Sequence, residues 1–323
     1  MTDCFGRNID YLRVSVTDRC NLRCRYCMPD GIDPVGRQEL LSYEELLRVC
    51  RVAVHLGIVK FKLTGGEPLV RRGFMDFAAR LRRLEGVSQL TLTTNGLLLS
   101  QYAEALRGVG FDGVNISLDT LRNEKYAEIT GIRGARADTV RSAIALCADI
   151  GIRVKVNAVL LAETYADILP LAGLAREMPV DVRFIELMPI GNGDGKSGVS
   201  MDCALALLRT RWPDLTPTDE KRGNGPAHYY ASRALMGRIG FIDAVSHGFC
   251  GSCNRLRLTC TGQLKPCLCY DTAEDLRTLL RTGVSDAALG AAIRRAVGEK
   301  PRAHCFGQTQ AVTEHRCMSQ IGG

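Results

Sequence analysis

YLRVSVTDRCNLRCRYCMP, residues 11–29, joins a short apolar strand to three closely spaced cysteines. Cys20, Cys24 and Cys27 follow the strand in the spacing CxxxCxxC. Three thiolates can bind three irons of a cubane [4Fe–4S] cluster, which leaves the fourth iron open to a ligand with amino and carboxylate donors. A structural zinc ion prefers four closed ligands, and this loop contains no histidine. We therefore predict an iron–sulfur cluster here, with zinc as the alternative.

Short apolar strands alternate with amphipathic helices through the first two thirds of the chain, which predicts a parallel sheet. Ser42 is expected to cap the first helix, with Glu45 at the capping-box position. Six βα units are too few to close an eight-stranded barrel, so we predict an α/β fold with a partial, open (βα)6 barrel. The predicted strands cover 11–16, 58–63, 90–93, 114–118, 153–159 and 182–187, and the predicted helices cover 42–56, 74–84, 137–150 and 167–178.

The unusual residues of this region follow the predicted strands. They are the cysteine loop, GGEP at 65–68, TTNG at 93–96, SLD at 117–119 and ELM at 186–188. In (βα) barrels the catalytic groups gather where the strands end, at their C-terminal face. We therefore expect these motifs to lie around one site.

The last third of the chain differs in character. A linker rich in Gly, Asn and Asp at 189–200 precedes it. Short strands at 237–242 and 255–258, and helices at 274–281 and 287–297, predict a smaller α+β region. We accordingly divide the chain into residues 1–200 and 201–323, and we expect the tail, residues 319–323, to be flexible.

Composition narrows the class of protein. The chain has 323 residues, a formal net charge of +7 and fourteen cysteines. The positive excess suits an anionic small molecule and is too weak to predict nucleic-acid binding. No apolar run is long enough to span a membrane, and the N-terminus lacks the pattern of a secretory signal. We therefore expect a cytoplasmic protein whose cysteines serve metal binding or catalysis.

A second cysteine group lies in the last third of the chain. Cys250 and Cys253 form a CxxC pair, and Cys267 and Cys269 follow. Four thiolates could close a zinc ribbon, and three could hold another iron–sulfur cluster. The spacing alone leaves the two readings about equal.

The motif series resembles the radical S-adenosylmethionine superfamily and, within it, the GTP 3′,8-cyclase family of molybdenum cofactor biosynthesis. The resemblance covers nearly the whole chain. It is carried by CNLRCRYCMP, TGGEPL, TTNG, SLD, KVN, FIELM, FCGSCNRLRLT with Cys267, and the terminal Gly-Gly.

The resemblance implies two [4Fe–4S] clusters, S-adenosylmethionine as cofactor and GTP as substrate. It implies that an adenosyl radical removes hydrogen from C3′ of the GTP ribose, and that C3′ then bonds to C8 of guanine. The implied cluster ligands are Cys20, Cys24, Cys27, Cys250, Cys253 and Cys267. The implied contacts to S-adenosylmethionine are Tyr26, Gly66, Ser117 and Met188. The implied contacts to GTP are Arg13, Lys62, Thr93, Lys155, Arg255, Leu256 and Arg257. Gly322 and Gly323 match a tail that the family requires.

One position departs from the family pattern. Lys62 stands where the family usually has arginine, which keeps the charge and loses the planar fork. The implied partners are an external electron donor, the downstream cyclic pyranopterin monophosphate synthase and a possible second copy in a homodimer. Nucleic acid and membrane are not expected as partners.

The basic residues support an anion site without the resemblance. Arg255 and Arg257 are two apart, so they share one face of a strand. A triphosphate needs several such cations. The stretch GNGDGKS at 191–197 looks like a phosphate-binding loop, but it is one residue too short and lies in the linker.

Two other functions stay open from the sequence. One is a radical enzyme that modifies a peptide and carries an auxiliary cluster. The other is a non-enzymatic module that binds two zinc ions. Arg255 and Arg257 beside the second cysteine group favour a nucleotide over a peptide substrate, and metal analysis would decide about the zinc module.

Overall fold

One sheet organises the structure, and its strands come from the first two thirds and from the last third of the chain. The computed structural model describes residues 1–322, apart from the side chain of Thr309. The strands within this range are β1 (Tyr11–Ser15), β2 (Lys60–Thr64), β3 (Gln89–Thr94), β4 (Gly113–Ser117), β5 (Val154–Leu160), β6 (Asp181–Glu186), β7 (Thr216–Thr218), β8 (His228–Ala231), β9 (Ile239–Ile242), β10 (Arg255–Leu258), β11 (Gln263–Lys265) and β12 (Glu274–Asp275).

The helices surround this sheet. Within residues 1–322 they are α1 (Tyr43–His55), α2 (Phe74–Arg82), α3 (Leu99–Val109), α4 (Asn123–Thr130), α5 (Ala137–Asp149), α6 (Ile168–Glu177), α7 (Met201–Arg211), α8 (Leu276–Arg281), α9 (Asp286–Gly298) and α10 (Met318–Ile321). The predicted capping box of α1 is present, because Ser42 and Glu45 exchange side-chain and backbone hydrogen bonds. None of the helices in the described range is both long and apolar enough to cross a membrane.

The strand order is β12-β11-β10-β1-β2-β3-β4-β5-β6-β9-β8-β7. Strands β1 to β6 are parallel neighbours, which confirms the predicted six-stranded parallel core. The sequence did not show that β10 pairs in parallel with β1 and β9 with β6. The region after residue 200 therefore extends the open barrel at both edges.

Alternation along the strands places polar groups inside the barrel. On β5 the side chains of Val154, Val156 and Ala158 are buried against the helices, whereas Lys155 and Asn157 face the other way. The helix-facing side chains belong to one continuous apolar core. Polar residues that would be costly inside that core are thereby collected in the barrel interior.

The tail expected to be flexible is folded through residue 322. It forms helix α10, and Ile321 is buried in a second apolar cluster with Phe306, Val312 and Leu268. The side chain of Gln320 caps the helix by accepting a hydrogen bond from the backbone of Cys317. The sequence of residues 319–323, with one isoleucine among polar residues and glycines, gives no signal that this isoleucine packs into the cluster. Gly323 lies outside the described residues.

Candidate active site

The first cysteine group lies in the loop after β1. Cys20, Cys24 and Cys27 all line a cavity of about 320 Å³ at the C-terminal ends of the parallel strands. The amide of Leu22 donates to the Cys20 sulfur at 3.4 Å, and the Asn95 side chain approaches it at 3.8 Å. Burial raises the pKa of all three thiols, that of Cys27 to about 12. Thiolates here therefore need a bound cation to offset their charge.

The donor set fits a cluster better than a single ion. Within the described range, no group of three or more His, Cys, Asp or Glu side chains is spaced to hold one metal ion. Each thiolate of a cubane binds a different iron, so three sulfurs need not converge on one point. Three cysteines on one cavity wall match that requirement.

The glycines after β2 allow two loops to pack together. A Cβ at Gly66 would lie 2.3 Å from the carbonyl oxygen of Arg19, and one at Gly65 would lie 2.6 Å from that of Thr17. The amides of Gly66 and Glu67 donate to these same carbonyls at 2.8 Å. The missing side chains thus fix the cysteine loop against β2, a role the sequence did not reveal.

Glu67 joins the ends of two strands. Its carboxylate accepts hydrogen bonds from the Thr94 hydroxyl at 2.8 Å, from the Asn95 amide at 2.7 Å and from the Leu69 amide at 3.1 Å. The group is fully buried, and burial raises its pKa to about 7. Glu67 therefore holds β2 and β3 in place beside the cysteine loop.

Four residues expected at the cofactor line the same cavity: Tyr26, Gly66, Ser117 and Met188. The Tyr26 hydroxyl donates to Asp119 at 2.7 Å, and the other oxygen of Asp119 accepts from the Val159 amide at 2.8 Å. Burial raises the pKa of Asp119 to about 6 in spite of these bonds. Asp119 connects the cysteine loop to β4 and β5, and the sequence analysis did not assign it.

Six basic side chains occupy the barrel interior next to these groups. The register places Arg13 beside both Arg257 and Lys62. None of the six forms an ion pair with a carboxylate of residues 1–322, and Nε of Arg13 and of Arg255 is buried without a partner. The six residues are Arg13, Lys62, Lys155, Arg183, Arg255 and Arg257.

The electrostatics of this cation group favour an anion. Burial, followed by repulsion between neighbouring cations, lowers the pKa of Lys62 and of Arg257. Burial lowers the pKa of Arg13 to about 10, and burial together with Arg183 lowers that of Lys155 to about 7. Buried positive charge without counter-charge is costly, and a bound polyanion would offset it.

Arg183 is the member of the cation group that the sequence analysis missed. Its guanidinium donates to Asn157 at 2.9 and 2.6 Å, and it lies 2.9 Å from the side-chain oxygen of Asn115. Asn115 also accepts from Lys62. An arginine flanked by valine and phenylalanine in a strand, as in DVRFIE at 181–186, was the signal that could have indicated it.

The remaining predicted GTP contacts differ in position. Thr93 lines the cavity, whereas the side chain of Leu256 is fully buried in the apolar core on the opposite face of β10. Only the backbone of Leu256 can therefore contact a ligand in the barrel. Lys155 stands outside the cavity lining, with Nζ 5.8 Å from the ring centre of Tyr229.

The second cysteine group, Cys250, Cys253 and Cys267, lines the same cavity. Burial alone would raise the pKa of Cys253, but the charges of Arg255 and Lys300 outweigh it and lower the pKa to about 7. Cys269 does not line the cavity, and its sulfur lies 2.9 Å from that of Cys305. The structure thus separates Cys269 from the trio.

The tail contacts both ends of the site. The carbonyl of Gly322 accepts a hydrogen bond from Arg257 at 3.1 Å, and Ser319 lines the cavity close to Cys27. Asn192, from the GNGDGKS stretch, donates to the carbonyl of Cys27 at 3.0 Å and to the sulfur of Cys317 at 3.2 Å. The stretch therefore connects the tail to the first cysteine loop.

Two family models match the chain. Residues 14–175 match the radical SAM superfamily, and residues 180–306 match the model described as Molybdenum Cofactor Synthesis C. The structure of Streptococcus suis SuiB bound to S-adenosylmethionine shares the fold, with a TM-score of 0.66 and 15% identity over 95% of this chain and 76% of that one. The fold and the cysteine loop thus define a radical S-adenosylmethionine protein.

Curated relatives refine this assignment. A GTP 3′,8-cyclase of Heliobacterium modesticaldum is 46% identical, with all of both chains covered. One of Paracoccus denitrificans is 43% identical over all of this chain and 96% of that one. The chain belongs to the GTP 3′,8-cyclase family.

Proposed function

We propose that the protein is a GTP 3′,8-cyclase, which converts GTP into 3′,8-cyclo-7,8-dihydroguanosine 5′-triphosphate in molybdenum cofactor biosynthesis. The observation that carries the proposal is the group of six cations in the barrel interior, of which Lys62, Arg183 and Arg257 are buried, beside the two cysteine groups that line the cavity. A triphosphate carries about four negative charges. It would supply the counter-charge for these six cations, none of which forms an ion pair with a carboxylate of residues 1–322.

Different residues of the barrel bind the triphosphate and the cofactor. Arg13, Lys62, Lys155, Arg183 and Arg257 hold the triphosphate from the strands, and Arg255 stands beside the second cysteine group. S-adenosylmethionine lies against the first cysteine group, in contact with Tyr26, Gly66, Ser117 and Met188. When bound, the first cluster and S-adenosylmethionine supply a 5′-deoxyadenosyl radical.

The chain itself orients the substrate and excludes water. The strand-borne cations fix the phosphates, so that one ribose C–H faces the cofactor. Helix α10 contributes Met318 and Ser319 to the cavity lining. Such enclosure protects a reactive radical from side reactions.

The second cysteine group completes the proposal. We infer that Cys250, Cys253 and Cys267 would hold a second [4Fe–4S] cluster, which would supply a binding position for the guanine of GTP. Residues 1–200 then supply the radical chemistry, and residues 201–323 supply the second cluster and the tail. An external electron donor would serve the first cluster, and the cyclic pyranopterin monophosphate synthase would take the product. We propose the cytoplasm, where thiols stay reduced, as the location and a homodimer as the assembly.

The test is anaerobic reconstitution with iron and sulfide, followed by incubation with S-adenosylmethionine, a reductant and GTP. We expect 5′-deoxyadenosine and the cyclised nucleotide to form together, measured by liquid chromatography and mass spectrometry. Replacing GTP by ATP should suppress the cyclised nucleotide, because the second site is proposed to recognise guanine.

A matched variant controls for protein quality. Changing Cys20, Cys24 and Cys27 to Ala should abolish 5′-deoxyadenosine while GTP binding persists, because the cations are unchanged. Formation of 5′-deoxyadenosine that GTP does not affect, with no cyclised product, would contradict the proposal and favour a peptide substrate.

A further inference from the structure

Lys300 is a buried cation that the sequence analysis did not single out. It follows helix α9, is 4% exposed and lines the cavity near the second cysteine group. Its Nζ donates to the carbonyl of Arg255 at 2.9 Å and to that of Pro266 at 2.7 Å. No carboxylate in the described part of the chain forms an ion pair with it.

The two carbonyls belong to the two segments that supply the second cysteine group. Arg255 comes two residues after Cys253, and Pro266 directly precedes Cys267. Along the chain the β10–β11 hairpin joins these segments, and Lys300 adds a link between their ends. An ammonium has three donors, and the two carbonyls use two of them. The third is left for a group in the cavity that Lys300 lines.

The segment that carries Lys300 is itself fixed from behind. Arg7 donates to the carbonyls of Pro301 at 2.7 Å and Arg302 at 3.2 Å, and to that of Cys250 at 2.8 Å. Asp3 pairs with the same guanidinium at 2.6 Å, and both side chains are buried. The ammonium of Lys300 is thus held at one place relative to both cysteine segments.

We propose that Lys300 is a positioning residue for the second iron–sulfur cluster. Its ammonium holds residues 250–255 and 266–267 at the separation that a cluster requires, and its charge stabilises the more negative, reduced form of that cluster. The inference rests on the proposed function, because it assumes a cluster at Cys250, Cys253 and Cys267. Two neutral acceptors would be satisfied by a neutral donor, so a buried charge at this place indicates a partner that carries negative charge.

The experiment isolates the second cluster in the full-length chain. Cys20, Cys24 and Cys27 are changed to Ala, and the resulting parent should take up about four irons per chain. Lys300→Met and Lys300→Arg are then made in this parent. Arg302→Met serves as the matched control, since Arg302 is an exposed cation two residues away. Iron and sulfide content, the midpoint potential and the thermal unfolding of the unreconstituted protein are measured for each.

Lys300→Met should lose at least half of the parent's iron, and the cluster that remains should have a more negative potential because a nearby cation is gone. Lys300→Arg should restore the iron content and most of the potential, because a guanidinium keeps the charge and can donate to the same two carbonyls. Arg302→Met should match the parent. Iron content and potential unchanged in Lys300→Met would overturn the inference while leaving the second cluster in place. A parent that binds no iron would instead overturn the proposed second cluster, and this inference with it.

Discussion

At the scale of one residue, Lys155 shows how the barrel interior shifts the pKa of a side chain. Burial and the neighbouring Arg183 lower its pKa to about 7. Below that pH the ammonium is charged, and above it the amine is neutral. A triphosphate binds the charged form, so nucleotide binding above pH 7 requires uptake of a proton.

We therefore expect the affinity for GTP to fall as pH rises from 7 to 9, by up to about tenfold per unit. Lys155→Arg stays charged across this range and should lose that dependence. The dissociation constants of the wild-type protein and the variant are measured by calorimetry at each pH. Their ratio is compared across pH, because the protonation of GTP itself affects both proteins equally. A ratio that does not change with pH would show that Lys155 does not contact the phosphates.

Arg183 provides a second prediction at this scale. It is buried and hydrogen-bonded to Asn157, and we place it against the triphosphate. Arg183→Met should weaken GTP binding by about 10- to 100-fold, since a charge-assisted hydrogen bond contributes about 1.5–3 kcal/mol. Arg211→Met on the exposed side of α7 is the control. Equal affinities for the two variants would remove Arg183 from the site.

Sequence reasoning found most of the cavity residues because each stands next to a strand end or within a short motif. It failed where a residue acts through tertiary contacts. Arg183 and Lys300 are single cations whose burial depends on chain segments far away in sequence. Arg183 has only its apolar neighbours in DVRFIE as a local sign of burial, and nothing local distinguishes Lys300 from an exposed basic residue.

Helix α10 is the element on which the tail depends, and a buried ion pair anchors the chain before it. Lys265 on β11 and Glu314 lie 2.5 Å apart and are almost completely buried. Burial alone would raise the pKa of Glu314, but hydrogen bonds from Arg316 and Lys265 lower it to about 2. The stabilising contribution of this pair is therefore present above pH about 4.5 and is lost as pH falls towards 2.

Glu314→Gln should leave Lys265 buried without its counter-charge and cost about 3–5 kcal/mol locally. We expect trypsin to cleave after Arg316 faster, because the tail opens more often. Glu299→Gln, an exposed carboxylate, is the control in the same proteolysis assay. Equal cleavage rates in the two variants would mean that the pair does not hold the tail.

Gly322 sets where the tail ends. It has a φ of +81°, and a Cβ there would lie 3.1 Å from that of Ser15. Gly322→Ala should displace the carbonyl from Arg257 and reduce cyclisation by about tenfold or more, while the iron content stays unchanged. The same result, in stronger form, is expected when Gly322 and Gly323 are both deleted.

Gly283 offers a control for backbone strain alone. Its φ is +74°, and its Cβ would meet no atom within 4 Å. Gly283→Ala should therefore cyclise normally. If both alanine variants turned over at the wild-type rate, the position of the tail would not matter for the reaction.

At the scale of the whole molecule, only part of the fold could be predicted from local sequence patterns. The first six parallel strands could be predicted from period-two alternation and from the motifs that follow them. The pairing of β10 with β1 and of β9 with β6 could not, because it joins segments more than fifty residues apart. The two regions divided at residue 200 therefore both contribute strands to one sheet.

A fragment of residues 1–200 should consequently fold poorly. Strands β1 and β6 would each lose a parallel partner and expose an edge, which favours aggregation. We expect no cooperative urea transition and no monomer peak on gel filtration for this fragment. Co-expression with residues 201–323 should restore both. A fragment that unfolds cooperatively by itself would show that the barrel does not need its added strands.

The link from Asn192 to both the first cysteine loop and Cys317 bears on how the holoprotein is made. Met318 and Ser319 of the tail belong to the lining of the cavity that contains Cys20, Cys24 and Cys27. Release of residues 317–322 would therefore remove part of that lining and break the hydrogen bond from Asn192 to Cys317. Iron and sulfide loaded before the tail docks would meet a more open cysteine loop, and docking would then close the contacts around it.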